Sequence, residues 1–222
     1  FSEEHYPLNL VFARRNFAEV YMVCGELERM AELMDHRYAI AHKYDLAMYV
    51  AQGNVFHGWI LAHQQAARGI AQIELGVQQW VALDINMEQS NFQRMLAECY
   101  YMAGRFTDAL AALDAAEEAL HRGGGRFYEP EIYRLRGKSL AAQGAAVAQV
   151  EACYQQALRT AQRLQAKSLE LRATLELSQL WFAHGRRPDA YAMLHSCYSW
   201  FTEGFATPDL RNAQTILQRF VC

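Results

Sequence analysis

The chain has 222 residues, with 21 Lys+Arg against 24 Asp+Glu and a formal net charge of -3. That balance excludes a protein held on nucleic acid chiefly by phosphate neutralisation, and equally a strongly basic membrane-surface module. Apolar residues reach 52% and charged residues only 20%, which excludes intrinsic disorder, and no run approaches the roughly 18 apolar residues of a membrane span. Prolines number only 4, well below the roughly 5% of average usage, so long uninterrupted helices are permitted.

A small-residue or turn signal recurs at Gly25, Gln65, Gly104, Gly144 and Gly185, at intervals of 40, 39, 40 and 41 residues. Glycine is the residue that most readily closes a helix in the left-handed conformation. Each signal lies between two amphipathic segments, so each unit reads as helix, tight turn, helix. The first unit, 8–46, is the loosest, with Ala18 and Tyr21 before the turn and Met30 and Met34 after it. The second, 47–86, has Gly58 and Leu61, then Gly69, Ile73 and Gly76. The third, 88–122, is the clearest: Leu96, Ala97 and Tyr100 precede the turn, and Ala109, Leu113 and Ala116 follow it. The fourth, 128–166, has Gly137 and Leu140, then Val150, Tyr154 and Ala157. The fifth, 168–202, has Leu177, Ser178 and Trp181, then Ala190, Leu194 and Cys197. These spacings match the tetratricopeptide pattern, in which small residues let two helices approach and large ones fill the holes between hairpins. A last helix, 208–221, opens with Thr207 suited to the N-cap and Pro208 to the first turn, and would cover the end of the stack. The expected fold is one all-α domain over 1–222, a tetratricopeptide-like right-handed superhelix of about five hairpins with a capping helix. All four prolines, Pro7, Pro130, Pro188 and Pro208, fall at expected helix starts.

The sequence carries no constellation for catalysis, no cofactor motif and no metal-ligand set. The five cysteines contain no CxxC pair, and Cys24, Cys99, Cys153 and Cys197 read as small buried hydrophobes in a reducing, cytoplasmic compartment. The pairs His36/His42 and His57/His63 are each six residues apart, which turns the two rings away from a shared helix face. Gly123-Gly124-Gly125 lacks the preceding strand and the Lys-Ser/Thr of a phosphate loop and reads as a flexible connector. Glu129-Pro130-Glu131 reads as a helix start. Arg159, Arg163 and Lys167 form a stripe expected on a solvated outer face.

In stacked hairpins the first helix of each unit lines the inner face. Alignment on the turns places there Arg15 and Glu19; Gln52, Val55 and Trp59; Arg94, Glu98 and Tyr101; Glu131, Arg134 and Lys138; and Arg172, Gln179 and Phe182. Arg15, Arg94 and Arg134 stand at the same position of their units, each ten residues before the turn. An arginine ladder of this kind would hold carboxylates of a peptide or of another domain; the alternative is a solvated polar face.

Four stretches go beyond a generic repeat: GWILAHQQAARGIAQIELGVQQW (58–80), GRFYEPEIYRLRGKSLAAQG (125–144), VEACYQQALRTAQRLQAKSLELRATLELSQLW (150–181) and YSWFTEGFATPDLRNAQTIL (198–217). The chain from about residue 8 onward resembles the tetratricopeptide-like C-terminal region of large bacterial signalling proteins. In that family a class III adenylate/guanylate cyclase or DNA-binding domain precedes a STAND-type AAA-like ATPase, and the helical repeats come last. SWFTEGFATPDL is the most specific part, because the repeat pattern does not dictate it. The resemblance implies a regulatory or sensor arm that binds a protein partner, the ATPase core of its own chain or a small-molecule inducer. It implies no enzyme activity for this segment, and the charge balance argues against nucleic-acid and membrane contact. With Phe1 at its start and no signal segment, the chain reads as part of something longer. A free-standing scaffold that binds a peptide in its groove is the second reading.

Overall fold

The computed structural model describes residues 7–221; Cys222 lies outside them. Among the described residues there are eleven α-helices and no strand. Five hairpins run in chain order: α1 (Pro7–Cys24) with α2 (Leu27–Lys43), α3 (Ala47–Ala62) with α4 (Ala66–Ala82), α5 (Gln89–Met102) with α6 (Phe106–His121), α7 (Glu129–Ala142) with α8 (Val147–Arg163), and α9 (Lys167–Ala183) with α10 (Arg187–Tyr198). The helix α11 (Pro208–Val221) follows. The chain divides into two compact units, one ending at Gly125 and one starting at Arg126. Within the first, α2 packs on α3 and α4 on α5; within the second, α8 packs on α9, and α11 packs on α9 and α10. No helix among the described residues is long and apolar enough to cross a membrane.

Four hairpin turns share one geometry. Gly25, Gly104, Gly144 and Gly185 take φ of 75°, 73°, 75° and 84°. Their left-handed backbone lets the next N–H reach five residues back, as in Arg105 N to Tyr100 O at 2.9 Å. The second hairpin differs. Gln65 has φ -138° and is itself the residue before α4, and its N–H reaches only four residues back, to Leu61 O at 2.8 Å. The closing hydrogen bond of this turn spans one residue fewer and no residue in it is left-handed, so glycine is not required. Register on α3 is unchanged.

Small residues set the hairpin seams. A Cβ on Gly58 would meet the Ile73 and Gly69 backbones at 2.7 and 2.8 Å, and one on Gly137 would enter the Tyr154 ring at 2.4 Å. Large side chains fill the spaces between hairpins. In the first unit Phe56 and Trp80 both meet Phe92 edge-on, with centroids 6.3 and 4.9 Å away. The Trp80 indole N–H donates to Met87 O at 2.9 Å. In the second unit Leu171, Leu175 and Leu194 close on Leu210, Ala213 and Ile216 of α11.

All four prolines stand in first helical turns, where the missing N–H breaks no hydrogen bond. Thr207 does not cap α11 through its side chain as expected: its hydroxyl donates backward to Gly204 O at 2.7 Å, while its carbonyl accepts from Arg211 N at 3.1 Å. The Gly123–Gly125 run is not a loose connector. Gly124 N closes the end of α6 on Ala119 O at 2.9 Å, and Ser90 Oγ donates to Gly125 O at 2.7 Å.

Candidate functional site

In the first unit the inner-face positions converge on one ionic cluster. Arg15 of α1 binds Glu19 one turn on at 2.9 Å and Glu88, just before α5, at 2.8 Å. Arg94 of α5 donates through Nη1 to Glu98 at 3.0 Å and through Nε and Nη2 to Asn91 at 3.1 and 2.9 Å. The Trp59 indole N–H of α3 donates to the same Glu98 oxygen at 3.0 Å. Trp59 and Glu98 tie α3 to α5 about one repeat apart, and Arg15 and Glu88 tie α1 to the start of α5 nearly two repeats apart. Burial pushes the Glu19 carboxyl above its ordinary pKa, partly offset by Arg15, and Glu88 raises it further. Trp59 and Arg94 are buried, whereas Arg15, Glu19, Glu98 and Tyr101 are half-buried. Tyr101 sits 5.6 Å from the Phe106 ring. Gln52 is drawn away from this cluster: it is buried and accepts from Arg37, while Val55 is core.

In the second unit Arg134 grips Glu131 with two bonds of 2.8 Å and Glu176 with a third of 2.9 Å. Lys138 lies 3.5 Å from Glu176. Arg172 lies 3.5 Å from Glu131 and 2.7 Å from Asp209 of α11. Those two carboxylates outweigh its burial and hold its pKa above the ordinary value. Glu131 and Arg134 are buried. Gln179 is exposed and donates to Leu175 O at 3.2 Å. The Phe182 ring stacks on Phe220 of α11 at 4.3 Å.

The arginines at the shared position are therefore filled. Each binds carboxylates of its own unit, although Arg15 Nε is buried with no hydrogen-bond partner; Glu19, Glu98 and Tyr101 are half-buried in the first unit, and Lys138 and Arg172 in the second. The expected outer stripe also changes. Arg163 ends α8 and reaches Glu129 of α7 at 2.9 Å, while Lys167 starts α9 and binds Glu170 at 2.7 Å. Glu129 and Glu131 are buried ion-pair partners as well as helix-start residues.

Of the four described cysteines only Cys99 is buried; the others are half-buried. Burial raises the thiol pKa of Cys99 and Cys197, the opposite of what a nucleophile needs. His57 Nδ1 lies 3.4 Å from Asp35, and His63 Nδ1 lies 2.9 Å from Trp59 O. Among the described residues no three His, Cys, Asp or Glu stand where they could hold a metal ion. A cavity of about 460 Å³ opens between α2, α3 and α4, lined by His42, Asp45, Val50 and Leu83 among others.

Two features escaped the repeat alignment. Trp200 and Phe205 stand exposed in the connection between α10 and α11, with Lys167 over the Trp200 ring at 5.5 Å. They belong to the SWFTEGFATPDL stretch. Arg37 of α2 is fully buried, donates to Val11 O at 3.1 Å and lies 5.3 Å from the Tyr49 ring. Burial and nearby Arg15 lower its pKa to about 10, so it stays charged at neutral pH.

No family model matches the chain, and no curated protein matches it. Solved structures do. A Podosopora anserina kinesin light chain-like protein with nearly identical TPR-like repeats superposes with TM-score 0.57 at 16% identity, over 94% of this chain and 97% of that one. A single-site variant of it gives 0.60 at 16%, over 97% and 99%. The aspartyl phosphate phosphatase F of Bacillus subtilis gives 0.63 at 15% identity, over 99% of this chain and 60% of that one. The chain has a tetratricopeptide-like fold.

Proposed function

We propose that this chain is a protein-interaction and sensor module that regulates a larger cytoplasmic signalling ATPase or nucleotide cyclase of bacterial type. It carries no catalytic step of its own. What supports the interaction reading is the set of paired side chains on the first helices within each unit: Arg15, Glu19, Trp59, Arg94, Glu98 and Tyr101 in the first unit and, separately, Glu131, Arg134, Lys138 and Arg172 in the second, with Gln179 exposed beside them on α9. The half-buried charges of each set offer electrostatic complementarity to a charged partner, which speeds encounter and fixes register. The ligand is a protein or peptide, or the ATPase portion of the parent chain, with a small-molecule inducer as a further ligand of the same arm. The signalling reading is supported by the four sequence stretches above, and by the exposed aromatics that the most specific of them carries.

The test titrates the chain with the ATPase portion of its parent, made as a separate polypeptide. Saturable binding that Glu98→Lys and Lys138→Glu each weaken about tenfold is the expected result. Absence of binding, or binding indifferent to both changes, overturns the reading. A free-standing peptide-binding scaffold is the second reading. One observation favours it: the repeat protein of Podosopora anserina is matched over nearly its whole length. A parent chain without an ATP-binding motif upstream would select this second reading.

A further inference from the structure

The cavity between α2, α3 and α4 has a volume of about 460 Å³, within the roughly 300–1,000 Å³ of small-molecule sites. Its position follows from the helix ends: α2 and α4 finish there and α3 begins there. Ala47 and Ala82 offer only methyl groups to it, which leaves the space open, and Val50 and Leu83 extend the apolar wall.

Three polar side chains, His42, Asp45 and Gln79, share that wall. Gln79 is placed by a relay. The Tyr38 hydroxyl donates to Asn54 Oδ1 at 2.9 Å, and Asn54 Nδ2 donates to Gln79 Oε1 at 2.7 Å. Asn54 is buried. The relay takes up the Gln79 oxygen, so Gln79 Nε2 is left as a donor with no partner among the described residues. The same Tyr38 holds the His42 ring edge-on, with centroids 4.4 Å apart. Asp45 has φ 50°, a left-handed backbone that aspartate tolerates. Its carboxylate has no ion pair among the described residues.

Charge selects the ligand. The ends of α2 and α4 bring two negative helix-dipole ends to the cavity, against one positive end from the start of α3. The Asp45 carboxylate adds a full negative charge. Lys43, next to His42 in the chain, lines a different cavity with Arg14. We propose that the cavity binds a small molecule with an apolar body and a protonated amine: the amine pairs with Asp45, an oxygen beside it accepts from Gln79 Nε2, and the apolar body lies on Val50, Ala82 and Leu83. As the inducer site of a sensor arm it rests on the reading above, but none of its lining residues belongs to the paired sets on the first helices.

The probes are phenylethanolamine and phenylethanediol, which carry the same ring and hydroxyl and differ in having an ammonium or a second hydroxyl. Each is titrated into the intact chain at neutral pH by calorimetry. The amine should saturate and bind about fivefold or more tightly than the diol, the upper range of an exposed ion pair. Asp45→Asn keeps a residue that tolerates the left-handed backbone, and should bring the two affinities within about twofold. Ala82→Trp fills the cavity and should abolish binding of both. Circular dichroism checks that the helices remain; if Ala82→Trp disturbs α4, Ala47→Phe fills the cavity from α3. No saturable binding, equal affinity for the two probes, or amine binding that survives a filled cavity overturns the proposal. Binding to this chain but not to its full-length parent also overturns it, because a segment of the parent would then occupy the cavity. Failure here leaves the partner reading intact, since Glu98→Lys and Lys138→Glu report on that separately.

Discussion

Gly69→Ala tests whether the α3–α4 seam is set by backbone contact. A Cβ at Gly69 would stand 2.3 Å from Ala62 N, 2.5 Å from Ala62 Cα and 2.5 Å from Gly58 O. All three are backbone atoms, so no rotamer change relieves the clash. Carbon contacts sit at about 3.5–4.0 Å, so the two helices must part by about 1 Å, which forfeits roughly a quarter to a half of the dispersion along the seam. The seam includes the buried Ile70, Ile73 and Ala62. Loosening a few such side chains, worth about 1.5–3 kcal/mol each when fully buried, costs about 2 kcal/mol. Overpacking strain adds about 1–3 kcal/mol. Against this, alanine gains about 1 kcal/mol of helix propensity over glycine. The net expectation is a loss of about 3 kcal/mol, read as a lower urea midpoint by circular dichroism. Gly125→Ala, where nothing lies within 4 Å, is the control and should stay within about 0.5 kcal/mol. If Gly69→Ala instead stabilises the protein by its propensity gain, the close-approach argument is wrong.

Gly104→Ala meets no atom within 4 Å but holds φ +73°; it should lose about 1–2 kcal/mol from the left-handed backbone alone, measured by the same denaturation. The Glu19 pKa is raised by folding, so its contribution is favourable below the ordinary carboxyl pKa and is lost as pH rises through the folded value. Glu19→Gln should therefore stabilise the protein relative to wild type at pH 7, with the advantage shrinking towards pH 4; an unchanged difference across that range refutes the linkage. Arg172→Ala removes the 2.7 Å bond to Asp209. Hydrogen exchange should quicken in α11 while α8 keeps its protection, and equal changes in both would refute a local tie.

The hairpins were legible because their cause is local. Glycine at a left-handed turn and small residues at the seam act within one unit, and their period survives in the sequence. The altered turn at Gln65 was legible only as a missing glycine, because its change lies in backbone conformation and hydrogen bonding. The inner face was legible in position but not in state. Arg94 and Arg134 lie on first helices, α5 and α7, and the sequence left a carboxylate-binding ladder and a solvated face both open, without showing that the two are paired within their own units. The partners explain this. Trp59 meets Glu98 across 39 residues, Arg134 meets Glu176 across 42 and Arg172 meets Asp209 across 37. Pairing at that range depends on how neighbouring repeats pack, which the pattern within one repeat does not encode.

The most direct measurement compares nucleotide turnover by the full-length parent protein with that of the parent lacking this segment. A regulatory arm predicts that the ATPase or cyclase rate changes severalfold on its removal, and that Glu98→Lys in the intact parent moves the rate in the same direction. Identical rates for all three proteins would contradict the account.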